Sequence, residues 1–343
     1  MGHAVDFPIT SPAGFEWLDD EPAFDPDRHL QLEAPPAIVT LPELGYGEDD
    51  VAATATPFAA SAPFRLLSDE GAEIMLETAR RLRAFTRPAA DRIERTVRGG
   101  CYRSRWLRDL CVSRDWTAHM ESIYGVAVAP HPMGHHLGHL NYEPSRIDES
   151  IDKWHHDTLP LDCVVAVTDP ATVAGGRFQY FAGTKAEAAD LAADGRTPPL
   201  ERIVTPDVPG PGWAIALHGD MVVHRAGALD DLSERISMVN VYVALDTSRS
   251  AQSRSADLIG VDDPAALWTE WGRFAAWRSS DRLRRLADGL AFTDDRDAGI
   301  AELEAAIDDV TTAVSEMRAG QQAAAHYGAG QCPFPPGPDP DTV

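Results

Sequence analysis

Lysine is nearly absent from this chain. Lys153 and Lys185 are the only two, so 28 of the 30 basic residues are arginines, and any anchor for an anionic ligand is expected to be arginine. Basic charge as a whole is in short supply, because 54 Asp and Glu oppose those 30 residues and give a formal net charge of −24. A surface that negative repels phosphate backbones and anionic lipid, which argues against a nucleic-acid or membrane-surface protein. Cysteine is scarce and scattered: Cys101, Cys111, Cys163 and Cys332 form no C-x-x-C pair. That spacing speaks against a disulfide framework or a structural zinc cluster and leaves buried free thiols. No apolar run approaches the roughly 18 residues of a membrane span. Met1–Asp6 lacks the charged-then-apolar build of a secretory leader, so a cytoplasmic location is expected.

What the chain does have is length and apolar content: 343 residues, 44 % hydrophobic, enough for a substantial core. Residues 1–63 are rich in Pro, Asp and Ala with weak periodicity and read as an irregular arm. Residues 64–124 read as a helical layer, with Ser68 as an N-cap for a helix up to Thr86 and further helical stretches over 91–98 and 115–123. The middle, 125–247, is a succession of short β-branched or aromatic runs (125–129, 137–142, 161–168, 177–181, 213–217, 221–225 and 236–245) bounded by Gly, Pro and Asp. Such spacing suits a sandwich or barrel. Thr184-x-x-Glu187 is a capping box for one inserted helix, which Gly195 ends. Residues 262–327 return to helix, with Trp268, Trp271, Phe274 and Trp277 expected to pack on the β-body. Should the β-body leave those aromatics uncovered, they offer a homodimer interface. Residues 328–343 are Pro- and Asp-rich and expected to be disordered. The whole reads as a single domain of mainly β (α+β) class, a β-core between helical flanks.

Nine of the twelve histidines lie between His119 and His224. His155-x-Asp157 precedes the apolar run 161–167, and on a strand these two side chains share one face. His224 follows 67 residues later. Two imidazoles and a carboxylate on one side of a metal leave three positions open, which suits non-haem Fe(II) chemistry. Arg235 and Ser237 follow His224 and also share a strand face. A planar guanidinium and a hydroxyl are donors that fit a carboxylate.

His155-x-Asp157, His224 and Arg235-x-Ser237, with Gly175-Gly176-Arg177-Phe178 between them, resemble the Fe(II)/2-oxoglutarate-dependent oxygenase superfamily. The resemblance covers residues 135–246, about a third of the chain. It implies a double-stranded β-helix (jelly roll), with His155, Asp157 and His224 as iron ligands and Arg235 and Ser237 on the co-substrate. It also implies Fe(II), 2-oxoglutarate and O2 as cofactors, and oxidation of a small-molecule substrate with release of succinate and CO2. Asn141-Tyr142-Glu143-Pro144 is similar to an Asn-Tyr-Tyr-Pro element of the plant-type members, which makes Asn141 a co-substrate candidate. Glu143 stands where that element has its second tyrosine, so the tyrosine's role does not carry over. Halogenating members replace the ligand carboxylate with Gly or Ala; Asp157 is present here, which favours hydroxylation. Gly175 and Gly176 take a structural role only.

Three readings compete with this one: a jelly-roll metalloenzyme that does not use 2-oxoglutarate, a non-catalytic binding protein for a small ligand, and a nucleic-acid demethylase of the same superfamily, against which the net charge of −24 speaks. A rival H-x-D, His218-Gly219-Asp220, lacks a third histidine at a usable spacing, so His218 is expected beside the site. His131, His135, His136 and His139 fit no zinc spacing and are expected to face a wet cleft, with His139 and Asn141 near substrate. Tyr102, Arg103, Arg105 and Arg108 read as a solvated basic helix face, and Trp154 and His156 as packing residues.

Overall fold

The computed structural model describes residues 5–89, 92–147, 150–249, 251, 253–259, 261–262, 264–292, 294–320 and 334. The strands in chain order are β1 (Ile38–Thr40), β2 (Phe58–Ser61), β3 (Phe64–Arg65), β4 (Arg87–Ala89), β5 (Ile93–Val97), β6 (Val128–Pro130) and β7 (His139–Tyr142). They continue as β8 (Ser150–His155), β9 (Leu161–Ala166), β10 (Phe178–Phe181), β11 (Ile203–Val204), β12 (Trp213–Leu217), β13 (His224–Ala228) and β14 (Ile236–Ala244). The α-helices are α1 (Pro26–His29), α2 (Glu48–Ala53), α3 (Asp69–Leu82), α4 (Arg105–Cys111), α5 (Arg114–Tyr124), α6 (Lys185–Ala193), α7 (Ser255–Leu258), α8 (Pro264–Gly289) and α9 (Arg296–Ala319).

The strands make two antiparallel sheets. The larger runs β1-β2-β12-β9-β14-β7-β5-β4, with β3 also on β12 and β6 on β14; the smaller runs β11-β10-β13-β8. From β7 to β14 the chain passes back and forth between the sheets, apart from the antiparallel pair β10–β11. Strand period 2 then divides β14. Ile236, Met238 and Tyr242 join the main core with Leu161, Cys163 and Val165 of β9, under Trp106, Trp116, Met120 and Tyr124 of α4 and α5. Ser237, Val239 and Val241 point the other way, where Val239 and Val241 meet Val164 and Leu159. Arg235 precedes the strand by the same period, so Arg235 and Ser237 share the inner face.

Ser68 caps α3 by accepting from Gly71 N, as its position before an apolar-periodic run requires. Thr184 Oγ1 accepts from Glu187 N at 3.1 Å, and Gly195 follows α6 with φ 67°. The Glu187 carboxylate, however, pairs with Arg202.

Several expectations need correction. Of the stretch 91–98 expected as helix, the described residues 92–98 are not helical: Ile93–Val97 is β5, because Ile93 and Val97 bury one side of a chain whose β-branched content favours extension. The arm before residue 64 is not irregular throughout. Its β2 is wholly buried and joins β12 at Leu217↔Ala60, while β1 extends the sheet. His224 opens β13 and does not close a strand over 221–225, because His218 O accepts from Met221 N and Val222 N in a tight turn. Trp271, Phe274 and Trp277 are covered by Ala129, Met133 and Val243, so these aromatics form no free interface. No helix among the described residues is long and apolar enough to cross a membrane. Cys101, Cys111 and Cys163 are buried free thiols. Cys332, His326 and the tail over 328–343, except Phe334, lie outside the described residues.

Candidate metal centre and carboxylate pocket

β8 ends at His155 and β13 starts at His224, and the two are register partners. Asp157 lies two residues past β8, held by a bond from its amide to Gly219 O at 2.7 Å. The donor atoms of His155, Asp157 and His224 all fall within 4.8 Å of one another, the one such group found among the described residues. His155 Nε2 is 3.3 Å from Asp157 Oδ1, and His224 Nε2 is 3.4 Å from Oδ2. His155 Nδ1 lies 2.6 Å from Lys153 O, and His224 Nδ1 lies 2.9 Å from Val222 O. A ring nitrogen beside a carbonyl is the one that carries the proton in a neutral imidazole, so each neutral ring would present the lone pair of Nε2 to the same point. This donor set fits a divalent transition metal.

Both imidazoles are buried. Burial, aided by Arg92, lowers the pKa of His155, whereas at His224 the adjacent Asp157 carboxylate overcomes burial and raises it. Burial would raise Asp157, but the two imidazoles outweigh it and hold the carboxyl well below its usual range. Arg92 sits behind the ligands with Nε 2.9 Å from Asp152 Oδ1 and Nη1 3.7 Å from Asp157 Oδ1. Asp152 Oδ1 is in turn 3.5 Å from His155 Nδ1. Asp162 is also buried near Asp157, and burial and the carboxylates of Asp157 and Asp220 push its pKa well up.

Arg235 and Ser237 line a cavity of about 330 Å³ with Val164, Ala166, Phe178 and Ile215. Arg235 Nη1 donates to Ser237 Oγ at 2.8 Å and Nε to Gly176 O at 3.2 Å. Burial lowers the guanidinium to about 10, so it remains charged near neutral pH. Phe178 links the two regions, its ring centroid 5.7 Å from that of His224. Gly176 has φ 64°, and a Cβ there would meet Leu229 Cδ2 at 2.7 Å, which fixes glycine beside the arginine.

Asn141 is buried on β7 opposite Ser237, and its Oδ1 accepts from Thr96 Oγ1 at 3.0 Å. Glu143 pairs with Arg83 and accepts from Arg235 N at 3.2 Å, so it braces the arginine's backbone where the plant-type element has a tyrosine. His218 is not among the converging donors. Its Nδ1 lies 2.7 Å from Phe58 O and its Nε2 3.2 Å from Asp220 Oδ1. Trp154 packs with Phe181, Ala188 and Phe334, and His156 lies against the Asp157 carbonyl.

The histidine run faces no wet cleft. His131, His135 and His136 are buried against α8 and the residues before it, because Asp262 and Glu270 supply carboxylates. His136 Nε2 is 3.3 Å from Asp262 Oδ2, His135 Nδ1 is 3.1 Å from Glu270 Oε1, and His131 stacks on Phe274. His139 sits on the inner face of β7, held down to about 3 by burial and Arg98 against the pull of Asp157. Tyr102 is buried and donates to Glu270, while Arg103 lies over Phe15 and Phe85, and Arg105 and Arg108 over Trp17. These residues tether the arm and do not form a solvated basic face. Arg92, Asp152 and Asp162 carried no signal in the sequence: each is a lone charged residue brought in by pairing between distant strands.

No family model and no curated protein matches the chain. It is similar to solved structures that include a non-haem α-ketoglutarate-dependent enzyme and proteins with bound 2-oxoglutarate. One is the epimerase SnoN from nogalamycin biosynthesis, 21 % identical over 54 % of this chain and 78 % of that chain, TM-score 0.41. A second is EctD from S. alaskensis with 2-oxoglutarate and 5-hydroxyectoine, 19 % identical over 69 % and 86 %, TM-score 0.39. A third is HygX from Streptomyces hygroscopicus with nickel, 2-oxoglutarate and hygromycin B, 13 % identical over 50 % and 78 %, TM-score 0.36.

Proposed function

We propose that this protein is an Fe(II)/2-oxoglutarate-dependent dioxygenase that hydroxylates a small molecule, with succinate and CO2 as co-products. The reading rests on one observation: two proton-directed imidazoles and a carboxylate converge on one point beside a cavity with a half-buried, charged arginine on its wall. The passage of the chain between two antiparallel sheets from β7 to β14 supports a double-stranded β-helix as the scaffold.

In this reading His155, Asp157 and His224 hold the metal. When bound, iron together with 2-oxoglutarate and O2 supplies the oxidising equivalent. The protein's own residues bind and orient. Arg235 and Ser237 receive the distal carboxylate of the co-substrate, and the low dielectric around Arg235 strengthens that ion pair. Glu143 and Gly176 fix the arginine from behind, so its fork is set before the ligand arrives. Phe178, Val164 and Ile215 make the wall between the arginine and the histidines apolar, which keeps water from the reacting end. Asp157 occupies the position that a halide would need, which supports hydroxylation. Asn141 borders Ser237 and contributes to the same pocket.

The test is an anaerobic titration of metal-free protein with Fe(II) and then 2-oxoglutarate, followed by visible absorption. A weak charge-transfer band that needs both additions is the expected result. Iron binding with no band on adding 2-oxoglutarate would favour a metalloenzyme of another kind, and binding of neither would refute the assignment.

A further inference from the structure

Helix α9 is 24 residues long, yet among its described side chains only Ala306 and Ala313 are buried. Its large apolar residues are Ile300, Leu303, Ile307, Val310, Val314 and Met317, spaced alternately by three and four. That is a heptad seam with β-branched Ile300, Ile307 and Val314 at one position and Leu303, Val310 and Met317 at the other, the pattern of a helix with helical partners. One partner is inside the chain: Val310 and Met317 pack with Trp271, Phe274 and Trp277 of α8. α8 covers only that edge. Ile300, Leu303, Ile307 and Val314 are 37–51 % exposed, and Leu283 of α8 and Leu290 just after it add 39 % and 52 % exposed leucines. Isolated surface aliphatics are ordinary, but a continuous seam with one open edge is the signature of an interface.

We propose that this open edge is a homodimer interface, occupied by the same helix of a second copy in antiparallel register about a two-fold axis through Ile307. Charge selects both occupant and direction. Asp297 in the first turn of α9 is 87 % exposed, and Arg318 lies exposed in the last turn. Antiparallel pairing centred on Ile307 brings Asp297, which lies 3.8 Å from Arg296 of its own chain, beside the partner's Arg318, and its symmetry mate likewise. Parallel pairing would set Asp297 against Asp297 and Arg318 against Arg318. The axis places Ile307 on its own symmetry mate and Ile300 opposite the partner's Val314, with the exposed Leu303 flanking them, so the exposed aliphatic row closes on itself. The aromatic residues of α8 take no part, since the β-body already covers them.

The experiment is sedimentation equilibrium on the full chain across a wide concentration series. Wild type is expected to show a mass of two 37.2 kDa chains. Ile307→Glu puts two carboxylates face to face on the axis and should weaken the dimer about a hundredfold or more, with helical circular dichroism and Fe(II) binding unchanged. Arg318→Glu alone should weaken it, and adding Asp297→Arg should restore it, because the swap re-forms both antiparallel pairs. A single-chain mass for wild type at every concentration would overturn the proposal. So would a dimer indifferent to Ile307→Glu, or a monomer whose α9 amides lose exchange protection when residues 321–343 are removed, which would assign the stripe to the chain's own terminus.

Discussion

His155 and His224 face each other across β8 and β13 with ring centroids 4.2 Å apart, and each directs Nδ1 at the carbonyl two residues before it. The second nitrogens are therefore aimed by the backbone, with Asp152 also beside His155 Nδ1, and Asp157 closes the set. Asp157→Ala removes one donor without disturbing either imidazole's tether. Its affinity for Co(II), read from visible absorption under anaerobic conditions, should fall by more than the roughly 10- to 100-fold that loss of an outer partner costs. An affinity within threefold of wild type would rule out the three-residue centre.

Arg235 is the half-buried cation on the wall of the cavity, where a bound carboxylate would cover it, and removing one member of a buried charge pair costs about 2–5 kcal/mol. Arg235→Met should therefore weaken 2-oxoglutarate thirtyfold or more in the anaerobic titration while Fe(II) binding stays as in wild type. Arg235→Lys should recover part of the loss, since a point charge cannot reproduce the fork that now reaches Ser237 and Gly176. An unchanged 2-oxoglutarate requirement in Arg235→Met would remove the anchor.

Four of these five residues were legible in the sequence as pairs with one residue skipped, His155 with Asp157 and Arg235 with Ser237, and His224 was legible from its place between the two pairs. The N-caps Ser68 and Thr184 were legible for the same local reason. What could not be read was whatever depends on distant pairing. Arg92 lies in a turn before β5, a strand whose charged Glu94 and Arg95 imitate a helix, and only the pairing of β5 with β7 carries it toward Asp152. Phe58–Ser61 looked irregular in a Pro- and Ala-rich context, yet β12 offers it a buried edge. The histidine run looked wet until α8 supplied Glu270, and the residues before it Asp262, from more than a hundred residues away.

Gly219 has no room for a side chain. A Cβ there would fall 1.8 Å from Asp162 Oδ2 and 2.8 Å from Leu159 O, and the backbone contact cannot rotate away. Gly219→Ala should destabilise the fold by about 1–3 kcal/mol and, because Asp157 N donates to Gly219 O, also weaken Co(II) binding. Thermal melts of the metal-free protein separate the two effects. An unshifted melting temperature would contradict the close approach.

Arg92 and Asp152 form a buried ion pair, with side chains 6 % and 10 % exposed. Arg92→Met strands the Asp152 carboxylate and should cost about 3–5 kcal/mol in chemical denaturation. The double variant Arg92→Met/Asp152→Asn, which removes both charges, should regain most of that stability. If the double variant is no more stable than the single one, stability at this position comes from the packing of the arginine's stem and not from compensated charge.

Asp281 gives the fold a defined acid limit. Its side chain is 3 % exposed, and it accepts from Thr247 Oγ1 at 2.7 Å, Arg284 Nη2 at 2.6 Å and Arg285 Nε at 2.7 Å. Burial opposes ionisation, but these donors outweigh it and lower the carboxyl from 3.8 to about 2. A group whose folded pKa is depressed stabilises the fold fully above its ordinary pKa and loses that contribution as pH falls toward the folded value. Asp281→Asn should therefore cost about 2 kcal/mol at pH 7, the scale of a hydrogen bond to a charged group. The gap between variant and wild type should narrow as the buffer is taken from pH 4 toward pH 2, because wild type then approaches the neutral state that the variant mimics. Urea denaturation at each pH measures the gap. A difference that stays constant down to pH 2 would mean that the charge on Asp281 contributes nothing to the attachment of α8.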